Sequence, residues 1–367
     1  MDSFADFHPA GSPLYMVMHN PVLHQFISYL AEKKAEQETQ PGLHVRIELS
    51  RASMNRVRDS FKQSIIDGER HLHVMSHVLG TTLFDGGYEL HSNVIGVLPG
   101  GEKRPFLIRE RITRDALFSH TDLDLGNQML GKFRYRTGEE WAPLELSANF
   151  VEYIPLGRTT SGVNRITSRV KAEEELWNKV ADEMFGLDRI VEQDKHLRQY
   201  SKYIKDIFGL KIVCDDDAAC LRVHRRLEGL RAGECDWSVT GSLARHEGET
   251  LPSDPGAPVM EFLETKDYLT CEPSLMKKTG WKALKSVVRW QNQLLEIQVQ
   301  PLANYYLELD HMAGPSHRSF KLLRETLRGE IARGIPLYGF YRNLLRMLFL
   351  DSSVSFDSDN ASVVITD

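Results

Sequence analysis

Residues able to do chemistry occur in four short stretches. Across LLEIQVQ (294–300), Leu295, Ile297 and Val299 alternate with Glu296, Gln298 and Gln300. Successive side chains of a strand point to opposite faces, so this strand carries one carboxylate and two amides on one side. Half-exposed strands of many sheets alternate in the same way. In KDIFGLKIV (205–213), Asp206 stands just ahead of an apolar strand pattern and beside Gly209. An aspartate there ends a helix and turns the chain. It also suits Mg2+, a hard ion that takes one or two carboxylates and leaves other positions to water and phosphate. If the two strands meet at one end of a sheet, Asp206 and Glu296 form a candidate magnesium site.

The other two stretches are cationic. In RVKAEEELWNK (169–179), Lys171, Glu175 and Lys179 fall four residues apart, on the face away from Leu176, Trp177, Val180 and Met184. That pattern reads as a solvated ladder worth a few tenths of a kcal/mol per pair. The sharper reading, outweighed by the ladder when this stretch stands alone, is a rail for a triphosphate, with Arg169 at the start of a helix over about 169–185 able to stack or fork onto a nucleotide. In KDYLTCEPSLMKKTGWKALKSVV (266–288), a loop with Lys277, Lys278, Gly280 and Trp281 enters a strand through Lys285. An indole beside a glycine in a basic loop can stack on a base, or fold back onto the core. His71, His73 and His77 form a further group. A helix would bring His73 and His77 together as metal ligands, but no acidic partner stands at a telling distance.

The elements that position these residues follow from composition and periodicity. The chain has 367 residues, 41% hydrophobic and 26% charged, which suits a globular protein of two domains or of one domain with large additions. A net charge of −6 argues against broad coating of nucleic acid. The four cysteines form no CxxC pair and read as free thiols. No long apolar run predicts a membrane span, and the expected location is the cytoplasm.

Residues 14–35 end in a helix through Val22, Phe26, Ile27 and Leu30. LHVRIEL, HVMSHVLGTTLF, YELHSNVIGVLP and RPFLIRERI read as short strands with at least one helix. ANFVEYIPLGRTTSGVN is the expected boundary zone. Beyond it come helices over about 169–185 and 190–206, the strand GLKIV, and the helix AACLRVHRRLEGL. DWSVTGSL, APVMEFLE, KSVVRWQ and LLEIQVQ follow as strands, and the last two join as a hairpin at WQNQ. HRSFKLLRETLRGEIARG and YGFYRNLLRMLFL are closing helices. The expected division is an α+β region over 1–155, an α+β domain with a mixed sheet flanked by helices over 156–350, and an acidic, fraying tail over 351–367.

The order and spacing of these motifs resemble the synthetase domain of the RelA/SpoT family of alarmone enzymes, in which RxKxxxSxxxK, DxxGxR, KDYI…NGYQSLH, EIQIRT and AE.G.AAHW.YK follow one another. Here the series runs Arg169-x-Lys171-xxx-Glu175-xxx-Lys179, then Asp206-xx-Gly209-x-Lys211, then Lys266-Asp267-Tyr268-Leu269 and Gly280-Trp281-xx-Leu284-Lys285. It closes with Glu296-Ile-Gln-Val-Gln300, then Glu308 and Ser316-His317 with Lys321. The resemblance spans roughly the block 160–322, and the interval from Trp281 to Glu296 keeps the family spacing.

The resemblance implies a nucleotidyltransferase-like fold and a Mg2+-dependent transfer of the β,γ-pyrophosphate of ATP to the 3′-hydroxyl of GDP or GTP. Asp206 and Glu296 would hold the Mg2+ cofactor, and Glu296 would help activate the hydroxyl. Arg169 would contact the adenine of ATP, while Lys171, Lys179 and Lys211 would bind its phosphates. Trp281 would stack on the acceptor base, with Lys285, Lys266, Gln298 and His317 on the acceptor side. The chain departs from the family at Glu175 for Ser, Lys211 for Arg, Trp281 for Tyr and Lys285 for His. With Thr279 near the usual Asn as well, the acceptor side is the most altered part. These departures leave room for toxic small relatives that modify adenine nucleotides or the 3′ end of tRNA, and for a non-catalytic nucleotide-binding regulator. No His-Asp dipeptide of the family's hydrolase domain occurs. Residues 1–155 read as a regulatory or partner-binding module, and a homo-oligomer is compatible with the reading.

Overall fold

The computed structural model describes residues 12–14, 17–40, 42, 44–98, 105–137, 140–142, 144–185, 204–237, 254–272, 280–291, 293–313, 326, 329–330, 334–350 and 360–367. The elements, in chain order, begin with α1 (Pro21–Thr39), β1 (Val45–Ser50), α2 (Arg51–Leu83), β2 (Tyr88–Val97) and β3 (Pro105–Ile112). Next come α3 (Arg114–Ser119), α4 (Asp122–Gly131), β4 (Tyr135–Thr137), β5 (Glu140–Ala142), β6 (Glu145–Pro155), β7 (Val163–Val170) and α5 (Glu173–Met184). The rest are β8 (Phe208–Cys214), α6 (Asp217–Gly229), β9 (Glu261–Asp267), β10 (Leu284–Trp290), β11 (Gln293–Pro301), α7 (Leu302–Ala313), α8 (Tyr338–Phe349) and β12 (Ala361–Thr366). The chain is α+β and divides into two compact units: residues 1–68, 171–205 and 320–367 in one, and 69–170 with 206–319 in the other.

The second unit is built on one eight-stranded mixed sheet in the order β3-β2-β6-β7-β8-β11-β10-β9. Every neighbouring pair is antiparallel except β8 with β11, which run parallel. Alternation sorts the side chains. Leu210, Ile212, Ile297, Val299 and Val288 are buried on one face, with Tyr153, Ile166 and Ser168. Against that apolar face, His224 of α6 bonds Ser286 of β10 at 2.9 Å, and His73 of α2 faces the Tyr153 hydroxyl at 3.1 Å. Near β2 the core is closed by Met129 and Leu130 of α4 packed with Val94, Phe106, Ile108 and Leu146. A capping box between Thr121 and Asp124 starts α4, a device worth about 1 kcal/mol. The opposite face is polar, and α7 lies on it.

The first unit packs α1, the first half of α2, α5 and α8 beside a parallel pair, β1 with β12. Trp177 of α5 stacks on Phe349 of α8 with ring centroids 3.7 Å apart, and Phe61 of α2 meets both rings. Tyr338 donates to Asp182 at 2.6 Å, and Arg342 to Asn178 at 2.7 Å, which fixes the rotation of α8 on α5. Leu176, Trp177 and Val180 are the buried stripe that the sequence predicts.

HVMSHVLGTTLF supplies the helix expected among the four N-terminal stretches, as the end of the 33-residue α2. Three expectations are corrected. The helix expected from 169 begins only at Glu173, and Arg169 lies on β7, where Arg165, Thr167 and Arg169 alternate with Ile166, Ser168 and Val170. The sheet runs without interruption across the boundary expected after residue 155, since β6 pairs β7 there. The supposed fraying tail ends in β12, whose Ala361 to Thr366 pair with Val45 to Ser50. The helices expected over 190–206 and within 317–334, and the strand DWSVTGSL, lie wholly or largely outside the described residues.

Candidate functional site

Register places most of the candidates on the polar face of the sheet. Residues paired across neighbouring strands share a face. One row therefore reads His91, Glu152, Thr167, Lys211, Gln298, Lys285, Lys266 from β2 to β9. The adjacent row reads Arg169, Gly209, Glu296, Val287, Glu264. Arg169, Lys211, Glu296, Gln298, Lys285 and Lys266, named from sequence as site residues, thus stand on one surface.

Glu296 is the centre of the second row and is buried. Its Oε2 lies 2.6 Å from the ammonium of Lys285, and its Oε1 accepts from the Gln298 amide at 2.5 Å. The neighbouring Gly209 carries no side chain, so a trough two strand spacings wide, roughly 10 Å, separates Arg169 from Glu296. A Cβ built on Gly209 would meet nothing nearer than the Arg169 carbonyl oxygen at 3.7 Å. The glycine therefore keeps space rather than relieving its own backbone. Asp206 stands two residues before Phe208, the first residue of β8, whose Gly209 pairs with Glu296. Both candidate magnesium ligands are carboxylates, the hard oxygen donors that Mg2+ prefers.

A second carboxylate gathers Lys211, Gln300 and Trp281. Glu308 of α7 accepts from Lys211 at 2.7 Å, from Gln300 at 2.9 Å and from the indole nitrogen of Trp281 at 2.7 Å. Burial would raise the Glu308 pKa, but the Lys211 charge and the three donors hold it below the ordinary glutamate value. Trp281 meets Tyr268 edge to face at 5.7 Å, so its ring is held from two sides. Lys266 pairs with Glu264 at 3.1 Å.

Further along the face, Glu152 is a residue that sequence reasoning missed. It takes Arg165 at 2.9 Å, Arg109 at 3.4 Å, the Asn93 amide at 3.1 Å and the Tyr305 hydroxyl at 2.5 Å. Burial, followed by the Glu152 charge, drives the Tyr305 pKa up. Arg165 also lies over the Tyr305 ring at 4.8 Å. The available signal was a single acid inside the strand pattern NFVEYI, on the same parity as Arg165 and Arg169 of the next strand.

Lys171 and Lys179 belong to the first unit, Lys171 just before α5 and Lys179 on it, both half-buried. His317, Lys277, Lys278, Ser316 and Lys321 lie outside the described residues. His73 and His77 lie one turn apart on α2 but turn to different partners, His73 to Asp122 and His77 to the Tyr88 hydroxyl. The four cysteines are free, and no helix among the described residues is long and apolar enough to cross a membrane.

No family model matches the chain, and no curated protein matches it. Solved structures do. The small alarmone synthetase 1 from Bacillus subtilis bound to its product pppGpp is 16% identical, over 51% of this chain and 73% of that one, with a TM-score of 0.21. A second structure of the same synthetase is 16% identical over 47% of this chain and 82% of that one, TM-score 0.21. A GTP pyrophosphokinase family protein from Streptococcus pneumoniae is 16% identical over 51% and 70%, TM-score 0.19. These neighbours are alarmone synthetases and a GTP pyrophosphokinase family protein. Likeness at such TM-scores carries no weight of its own, and the reading of this chain rests on its residues.

Proposed function

We propose that the polar face of the eight-stranded sheet is the active site of an ATP-dependent nucleotide 3′-pyrophosphokinase. The observation that carries the reading is the row of strand pairings that sets Arg169, Lys211, Glu296, Gln298, Lys285 and Lys266 on one surface around the trough at Gly209. Motif order suggested those residues before any register was known. In the proposed reaction the acceptor's 3′-oxygen attacks the β-phosphorus of ATP. The bond from that phosphorus to the α,β-bridging oxygen breaks and AMP leaves. Such a transfer is mostly positioning and charge neutralisation.

Glu296 would take the hydroxyl proton on Oε2, the oxygen paired with Lys285, while Gln298 holds Oε1. Asp206 and Glu296 would hold Mg2+, which when bound neutralises phosphate charge. Lys285 already neutralises Glu296 at 2.6 Å, so the ion competes with that ammonium. Arg169 on the far bank of the trough suits the adenine of ATP. Lys171 and Lys179 are assigned to its phosphates by motif position alone, and Lys211 by motif position and its place on this face. Trp281, steered by Glu308, supplies the stacking surface for the acceptor base.

The test is transfer of label from γ-labelled ATP with Mg2+ to GDP, GTP, ADP or bulk tRNA, with Glu296→Gln as control. Label on GDP or GTP supports the guanine-nucleotide reading, and label on ADP or tRNA identifies a different acceptor. Nucleotide binding without transfer to any acceptor overturns catalysis and leaves a binding regulator, the role favoured by the Lys285–Glu296 ion pair.

A further inference from the structure

Away from that face, α2 and α4 bring three ligand-bearing side chains together on the apolar side of the sheet. Glu69 and His73 lie one turn apart on α2, and Asp122 opens α4. One ligand atom from each lies within 4.8 Å of the others. All three residues are buried, at 6%, 1% and 3% exposure, so no bulk water neutralises them. His73 Nε2 stands 3.0 Å from Asp122 Oδ1, while Glu69 Oε1 accepts from the Asp122 backbone N–H at 2.8 Å.

Two further observations separate this cluster from an ordinary buried network. Asp122 Oδ2 is buried and has no hydrogen-bond partner. Networks that exist only for cohesion satisfy such atoms, because an orphaned acidic oxygen is costly. The other imidazole nitrogen, His73 Nδ1, is held by the Tyr153 hydroxyl at 3.1 Å and faces the Ser168 hydroxyl at 3.4 Å. Anchoring of the distal nitrogen is how metal-binding histidines are oriented. Two adjacent buried carboxylates against one imidazole are also better compensated by a divalent cation than by a single positive charge.

We infer that Glu69, His73 and Asp122 form a structural site for a divalent transition ion of the zinc or manganese class, clamping the start of α4 onto α2. The imidazole nitrogen disfavours Mg2+, which prefers oxygen and water. The closed surroundings suit a structural ion rather than a catalytic one.

The experiment strips the full chain with a chelator, returns Zn2+ or Mn2+, and reads bound metal after gel filtration together with Tm. Wild type and Glu296→Gln are each expected to retain one equivalent and to gain Tm, which separates this site from the proposed magnesium pair. Asp122→Asn and Glu69→Gln, both isosteric, are expected to weaken binding at least tenfold. Co2+-loaded protein should show visible bands that His73→Gln removes. Failure of stripped wild type to bind either ion or gain Tm overturns the proposal. So does binding that Asp122→Asn and Glu69→Gln leave unchanged.

Discussion

Lys285 and Glu296 face each other at 2.6 Å, and the proposed chemistry turns on that pair. Glu296→Gln keeps the shape and removes the base, so label transfer should fall at least a hundredfold in single-turnover assays, with ATP affinity changing far less. Lys285→His should lower the Mg2+ concentration giving half-maximal transfer, because it withdraws a permanent competing charge; an unchanged magnesium dependence would mean that Glu296 does not hold the ion. Glu308 has a folded pKa below its ordinary value, so it stabilises the protein fully above that value and loses the contribution as pH falls through the folded one. Glu308→Gln should cost about 1–3 kcal/mol at neutral pH in urea denaturation, much less at low pH, and loosen Trp281 fluorescence. His77 behaves alike for a different reason. Burial first, and then the Arg114 charge, bring its pKa from an ordinary 6.5 to about 4. Between those values the unfolded chain binds more protons, so stability is full above the upper one and declines towards the lower. The decline should be on the order of 2–3 kcal/mol in wild type and absent in His77→Asn.

At the scale of elements, β8 is the strand on which the face depends, since it sits between Arg169 on β7 and Glu296 on β11. Gly209→Val would put a branched side chain into the trough without a steric clash against the backbone. Transfer should drop more than tenfold while Tm stays within a few degrees; equal activity would show that substrate does not use the trough. The alternation of β8, β10 and β11 was readable directly, because period two survives in a half-buried strand. Arg169 was misplaced because VNRITSRV runs into an apolar helical stripe at Leu176 and Trp177, and charge spacing alone cannot separate the two periods. Glu152 and Asp122 were missed for another reason: their partners lie on other elements, and neither strand register nor helix–helix contact is written in a local window. The composition of the tail, acidic and serine-rich, likewise hid the short pattern ASVVIT that forms β12.

For the whole molecule, the chain visits its two units more than once, and the first is assembled from three separated segments. Deleting residues 361–367 should lower the Tm of the first unit and raise its sensitivity in limited proteolysis. The parallel pair of β1 and β12 has a further consequence. Val45, Ile47 and Leu49 are synthesised more than 300 residues ahead of their partner strand, which begins at Ala361. At translation rates of roughly 5–20 residues per second, β1 waits for tens of seconds as an unpaired, half-apolar edge. Such an edge recruits other strands while it waits. Newborn chains of this protein should therefore depend on chaperones, and stalled or shortened chains should collect in aggregates nucleated at residues 45–50.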